Sequence, residues 1–220
     1  MQRHLMLMLG LASIVALGQT AQAQLPFSVG FRLGLNIGNA TYDPEPQLAS
    51  GVSKGSRLGF MAGALVELGI AGPAFIQIEP MFVQKGTKFE GPGGKITSKA
   101  NYFAIPVLLK AKFGPGHIKP YAFVGPDIGI NLTSKSVLEV TGQPEQESDD
   151  AETTSSIDFA LDFGGGVQVD VAPRIAVALD ARYSLGLTDV FKDPAGTTGD
   201  QKIKTNGIQI LAAIILRLGH

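Results

Sequence analysis

Hydrophobic and polar residues alternate along most of the chain with a period of two. Phe27, Val29, Phe31, Leu33, Leu35 and Ile37 interleave with Ser28, Gly30, Arg32, Gly34 and Asn36. In an extended strand those two sets face opposite sides. The same reading gives seven further strands. Residues 57–69 set Leu58, Phe60, Val66 and Leu68 against Gly59, Met61, Gly63, Leu65 and Glu67. Residues 74–85 share Gln77, Glu79 and Lys85 on one side, and residues 102–113 oppose Phe103, Ile105, Val107 and Leu109 to Tyr102, Leu108, Lys110 and Lys112. On the polar side, residues 120–132 carry Tyr121, Phe123, Asp127 and Asn131, residues 157–171 carry Asp158, Asp162, Gln168 and Asp170, and residues 174–187 carry Asp180, Arg182 and Ser184. The last strand, 205–220, puts Gln209 and Arg217 there, with Leu211 and Ile215 blurring the pattern.

The connections alternate in length without exception. Links 38–56, 86–101, 133–156 and 188–204 are long, whereas 70–73, 114–119 and 172–173 are short. A barrel whose two ends face different compartments has this alternation, with tight periplasmic turns and long extracellular loops. Every strand also meets the ~9–11 residues that a tilted strand needs to cross the hydrocarbon. The expected fold is all-β, an eight-stranded antiparallel up-and-down transmembrane β-barrel.

A soluble, secreted lipocalin-like ligand-binding barrel has the same strand count, with its apolar residues facing inward. Alternation alone does not separate the two, but the character of the polar face does. That face is mainly Gly, Ala, Ser and Asn, with nearly balanced charges: Arg32, Lys85, Lys110, Lys112, Arg182 and Arg217 against Glu67, Glu79, Asp127, Asp158, Asp162, Asp170 and Asp180. Such a set suits a cramped, self-neutralising interior. The opposite face is so uniformly aliphatic and aromatic that in water it would be a very large exposed patch. Lipid is the environment that makes a closed apolar exterior stable.

Composition agrees and narrows the field. The chain has 28 Gly, against about 15 from the ~7% of average usage. Only 17% of residues are charged, below the ~25% usual for soluble globular proteins. A net charge of −1 gives no electrostatic basis for nucleic-acid binding. The absence of Cys excludes disulfide scaffolds, thiolate catalysis, Cys-ligated metals and a lipoprotein anchor at the cleavage site. Arg3 and His4, the apolar stretch 5–17 and Ala21-Gln22-Ala23 read as a signal peptide over 1–23. The apolar stretch is shorter than the ~20 residues of a spanning helix. The expected barrel domain is then 24–220.

Several segments also resemble a known family. FSVGFRLGLNIGN (27–39), IQIEPMFVQKG (76–86), YFAIPVLLK (102–110), PYAFVGPDIG (120–129) and DARYSLGLTD (180–189) are similar to the PorT-like outer-membrane β-barrel family, a porin-family group of small barrels in Gram-negative bacteria. The resemblance covers nearly all of 24–220 and marks strand and turn positions more than a chemical site. It implies an eight-stranded barrel in the cell outer membrane, exported by a cleaved signal peptide. It also implies an envelope or secretion protein as partner, since the name-giving branch is linked to protein secretion. The chain departs from the pattern in ending on His220 rather than an aromatic residue, while Ile214, Leu216 and Leu218 keep the register behind it.

Motifs that carry chemistry are sparse. His4, His117 and His220 form no ligand cluster in sequence, so no metal or cofactor is expected. Gly164-Gly165-Gly166 lies inside a strand pattern, where glycine relieves crowding, and not between a strand and a helix as a phosphate loop requires. No Ser-His-Asp order with a nucleophile elbow occurs, and a non-enzymatic chain is expected. Glu145, Glu147, Asp149, Asp150 and Glu152 lack the order of a calcium loop and read as a solvated loop.

The remaining candidate site is the lumen. Arg32, Glu67, Glu79, Lys110, Asp127, Asp162, Asp180, Arg182 and Arg217 all fall on the inferred inner face. Isolated charges there carry a heavy desolvation penalty unless they pair, and eight strands enclose just enough space for side chains to fill. A polar network that fills the barrel is expected, with outer-membrane lipid as the surrounding partner. Two roles follow from different classes: a structural or interaction barrel of the envelope, and a small-solute transport barrel.

Overall fold

The computed structural model describes residues 25–45, 47–48, 50–150, 154–191 and 202–218. The expected signal peptide, Glu152 and His220 lie outside the described residues. Ten strands form one antiparallel sheet: β1 (Phe27–Asp43), β2 (Ser53–Ala71), β3 (Ala74–Ile78), β4 (Met81–Gly91), β5 (Gly94–Lys112), β6 (Ile118–Val140), β7 (Gln146–Asp149), β8 (Ile157–Ala172), β9 (Ile175–Gly186) and β10 (Lys202–Arg217). β1 pairs with both β2 and β10, and each following strand pairs with the next wall strand. The sheet therefore closes on itself and leaves no backbone edge in lipid.

Ten named strands make eight staves. β3 and β4 lie end to end, since β2 and β5 each pair with both. The expected single strand 74–85 is broken where Pro80 supplies no N–H to a ladder. Two backbone bonds hold the halves in line: Ala64 N–H donates to the Pro80 carbonyl at 3.1 Å, and Glu79 N–H to the Pro106 carbonyl at 3.0 Å. β7 pairs only with β6, outside the wall.

Two of the expected long loops are largely strand. β4 and β5 continue through 86–101 as a hairpin that turns at Gly91–Gly94. β6 runs on to Val140, and the acidic stretch supplies β7, which returns along it. Lys135 and Glu147 form an ion pair there at 2.7 Å, and Ser136 donates to Asp150. Residues 146–149 of the stretch are thus a paired strand and not loop, and they stay exposed, as a solvated segment does. Apolar alternation disappears there because the outer face meets water beyond the bilayer while the inner face carries Thr87, Thr97 and Ser134, yet the backbone ladder can continue, since N–H and C=O groups still need partners.

The two faces separate cleanly. Leu58, Leu179 and Ile214 are 63%, 60% and 63% exposed on the outside, amid a belt of other large apolar residues. Inside lie Arg32, Glu67, Glu79, Lys110, Asp162 and Arg182, all buried. This orientation is the reverse of a soluble ligand-binding barrel, whose apolar face points inward, and it removes the lipocalin-like alternative.

Apolar residues share the lumen with the charges. Along β1, Gly30 stands opposite Leu65 and Ile215, Arg32 opposite Gly63 and Ala213, and Gly34 opposite Met61 and Leu211. Small residues on one strand thus accommodate large ones on its neighbours. Leu65, Leu108, Phe123 and Ile215 belong to one buried cluster, and Met61, Met81, Val83 and Leu211 to another. Leu211 and Ile215, which blurred the polar face in the sequence, are filling material.

Gly164, Gly165 and Gly166 lie within β8, and Gly164 and Gly166, which share the inner face with Asp162, serve the same packing. A Cβ on Gly166 would stand 2.4 Å from the Asp180 Cβ, and one on Gly164 would stand 3.0 Å from the Phe123 ring. Backbone atoms crowd both positions as well, so no side-chain rotation relieves them. Gly166→Ala is therefore expected to destabilise the barrel by ~1–3 kcal/mol through overpacking. Urea unfolding in lipid vesicles measures this, and an unchanged midpoint would show that β8 has room to spare.

Candidate functional site in the barrel lumen

The strand period delivers the inner charges to one level. Arg32 on β1 donates to Glu79, in the break between β3 and β4, and to Asp180 on β9. Arg182, two residues after Asp180 on the same face, donates from Nη2 to Glu79 Oε2 at 2.8 Å and from Nη1 to Asp162 Oδ2 at 3.1 Å. Glu79 therefore bridges two guanidiniums that come from β1 and β9, the strands on either side of β10. The Tyr121 hydroxyl donates to Asp180 Oδ2 at 2.6 Å.

This group continues towards the short turns. Gln77 donates to Glu79, and its Oε1 accepts from Lys110 Nζ at 3.0 Å. Lys110 lies 3.1 Å from Glu67 Oε2, and Lys112 pairs with the other Glu67 oxygen. The Lys110 ammonium also stands 3.8 Å from the Tyr121 ring centroid, a cation–π contact. Seven of the nine candidate residues thus belong to one connected chain: Arg32, Glu67, Glu79, Lys110, Asp162, Asp180 and Arg182.

The other two stand apart from it. Asp127 is buried in the lumen, but its Oδ1 has no hydrogen-bond partner. Arg217 lies at the turn end, where its Nη2 is 2.6 Å from Asp170 Oδ1. Lys119 shares that carboxylate at 2.9 Å. Towards the long loops, Lys85 donates to Asp158 at 2.8 Å, and Asp158 also accepts from Thr188 and Thr205.

Sequence reasoning passed over three of these contributors. Alternation places Gln77 and Tyr121 on the inner face, but nothing local marks Gln77 as the link between Glu79 and Lys110 or Tyr121 as a donor to Asp180. The link 114–119 reads as a turn in the sequence, yet Lys119 lies in β6, two residues before Tyr121, and so shares its face. Which carboxylate meets which cation had no sequence signal, because the partners are up to 148 residues apart.

A cavity opens at each end of the lumen. One, of about 310 Å³, opens towards the long loops and is lined by Tyr42, Lys85, Tyr102 and Phe191 among others. The other, of about 640 Å³, opens at the short turns. Among the described residues no group of three or more His, Asp or Glu could hold a metal ion. His117 is exposed in the turn between β5 and β6.

No curated protein sequence matches the chain. Among solved structures, Neisserial surface protein A is 13% identical with a TM-score of 0.47, covering 87% of this chain and 97% of its own. The outer membrane protein OprG from Pseudomonas aeruginosa is 12% identical with a TM-score of 0.48, covering 90% and 97%. The outer membrane protease OmpT from Escherichia coli is 10% identical with a TM-score of 0.37, covering 90% and 99%. The family model of the outer membrane protein beta-barrel domain matches residues 19–192. With a closed eight-stave wall, an apolar exterior and a match over most of its length, the chain belongs to the outer membrane protein beta-barrel domain family.

Proposed function

We propose that this chain is a non-catalytic outer-membrane barrel that fills its own lumen and serves a structural or interaction role in the cell envelope. One observation carries the reading. Arg32 and Arg182 bind Glu79, Asp162 and Asp180 across the interior, between two apolar clusters that occupy the space on either side. Paired charges packed between apolar layers leave little continuous path for hydrated ions. In this reading residues 1–23 are a signal peptide removed on export, and the short turns face the periplasm, as in other barrels of this type. The similarity to the PorT-like group supports a finer version, in which the barrel assists protein secretion through a partner at its loops or turns.

Conductance tests the reading. The purified barrel in planar bilayers is expected to give little or no steady current. Large, stable single-channel currents whose ion selectivity changes in Arg182→Ala would overturn it in favour of small-solute transport. Co-purification from detergent-solubilised outer membrane then tests the finer version by the presence or absence of a stable envelope partner.

A further inference from the structure

Charge is distributed unevenly along the lumen. In the middle, two guanidiniums meet three carboxylates. At the turn end the balance reverses. Glu67 is shared by Lys110 and Lys112, and Asp170 by Lys119 and Arg217, so four cations divide two carboxylates. Arg174 stands exposed at the rim and forms no ion pair among the described residues. Arg217 Nε is a buried donor without a hydrogen-bond partner.

These groups surround a real space. Lys112, Lys119, Arg174 and Arg217 line the 640 Å³ cavity together with Glu67 and Phe75. That volume lies within the ~300–1,000 Å³ typical of small-molecule sites. Further in along the same faces, two residues from Glu67 and Arg217, lie Leu65 and Ile215 of a buried apolar cluster. A concave mouth with low-dielectric walls concentrates the field of uncompensated charges and raises the local concentration of counter-ions. A buried or half-buried cation without enough carboxylate is also costly until an anion joins it.

We propose that the turn-end mouth is a binding site for a small organic anion carrying two or more carboxylate or phosphate groups. Arg174 and Arg217 supply forked donors suited to oxyanions, Lys112 and Lys119 add point charge, and Phe75 offers an apolar wall for the carbon skeleton. The buried apolar cluster further in stands between the mouth and the rest of the lumen, so the site captures and holds an anion and does not conduct it. Binding here does not depend on the envelope role proposed above.

The test uses the full chain folded in zwitterionic micelles at low ionic strength, titrated with citrate by calorimetry. Saturable binding of one citrate per barrel is expected. Arg174→Gln removes a rim charge that holds no internal partner, and is expected to weaken binding about tenfold. Asp170→Asn leaves Lys119 and Arg217 free for the ligand and is expected to tighten it. Lys135→Gln, at the opposite end of the barrel, is expected to change nothing. Heat-modifiable gel mobility verifies that each variant is folded. Equal affinity in the wild type, Arg174→Gln and Asp170→Asn, or an equal loss in Lys135→Gln, would overturn the proposal. Phosphatidylglycerol retained by the wild-type barrel through detergent washing and lost from Arg174→Gln would also overturn a solute ligand and assign the mouth to a lipid headgroup.

Discussion

Arg182→Ala is expected to destabilise the folded barrel by ~3–5 kcal/mol, the range for removing one partner of a buried charge pair. Arg182 is 2% exposed and holds both Glu79 and Asp162. Its loss strands Asp162, which has no second ion pair among the described residues, and leaves Glu79 with Arg32 and Gln77. The lost attraction is the smaller part of the effect; the larger part is a carboxylate left in a site that water reaches poorly. Adding Asp162→Asn to Arg182→Ala removes that stranded charge and is expected to recover part of the stability. Urea unfolding in lipid vesicles reads both steps. A loss below about 1 kcal/mol for Arg182→Ala, the scale of a water-exposed pair, would mean that the lumen is hydrated and its charges screened.

Leu179→Arg probes the other face. Leu179 is 60% exposed on the wall and stands opposite Val167 on β8 and Ala212 on β10, whereas Asp180 beside it points into the lumen. An arginine in lipid is expected to disfavour the folded barrel by ~2–4 kcal/mol if the position is near the bilayer midplane, and by less near either interface. Ala178→Ser, which adds a small polar group on the lumen side, is expected to be tolerated. The contrast between neighbours is the informative measurement, since a strand sends adjacent side chains to opposite environments. Equal tolerance of both changes on refolding into vesicles would reverse the assignment of faces.

The wall of the barrel was readable because membrane strands repeat a simple constraint. Phe31, Leu33 and Leu35 must be apolar to meet lipid, and Arg32 must turn away from it, so the period of two survives in the sequence. Past the bilayer the constraint lapses. Residues 86–101 and 133–140 carry Lys, Thr and Ser on both faces, with Thr87, Thr97 and Ser134 turned inward, so these hairpins lack apolar alternation and read as loops. The break at Pro80 was hidden for another reason. Gln77, Glu79, Met81, Val83 and Lys85 keep their parity through it, so the face pattern passes over a missing hydrogen bond without a trace.

The sequence by itself determined the class, the number of staves, the side of each residue and the apolar exterior, because each depends on neighbours within a few residues of the chain. Only the tertiary structure decided the partnerships. That Glu79 bridges Arg32 and Arg182, that Asp127 stands outside this chain of bonds, and that Arg217 joins Lys119 on Asp170 all depend on register around a closed sheet. Closure brings together side chains from strands far apart in sequence, and their separation across the lumen is set by stagger and tilt, quantities that alternation does not encode.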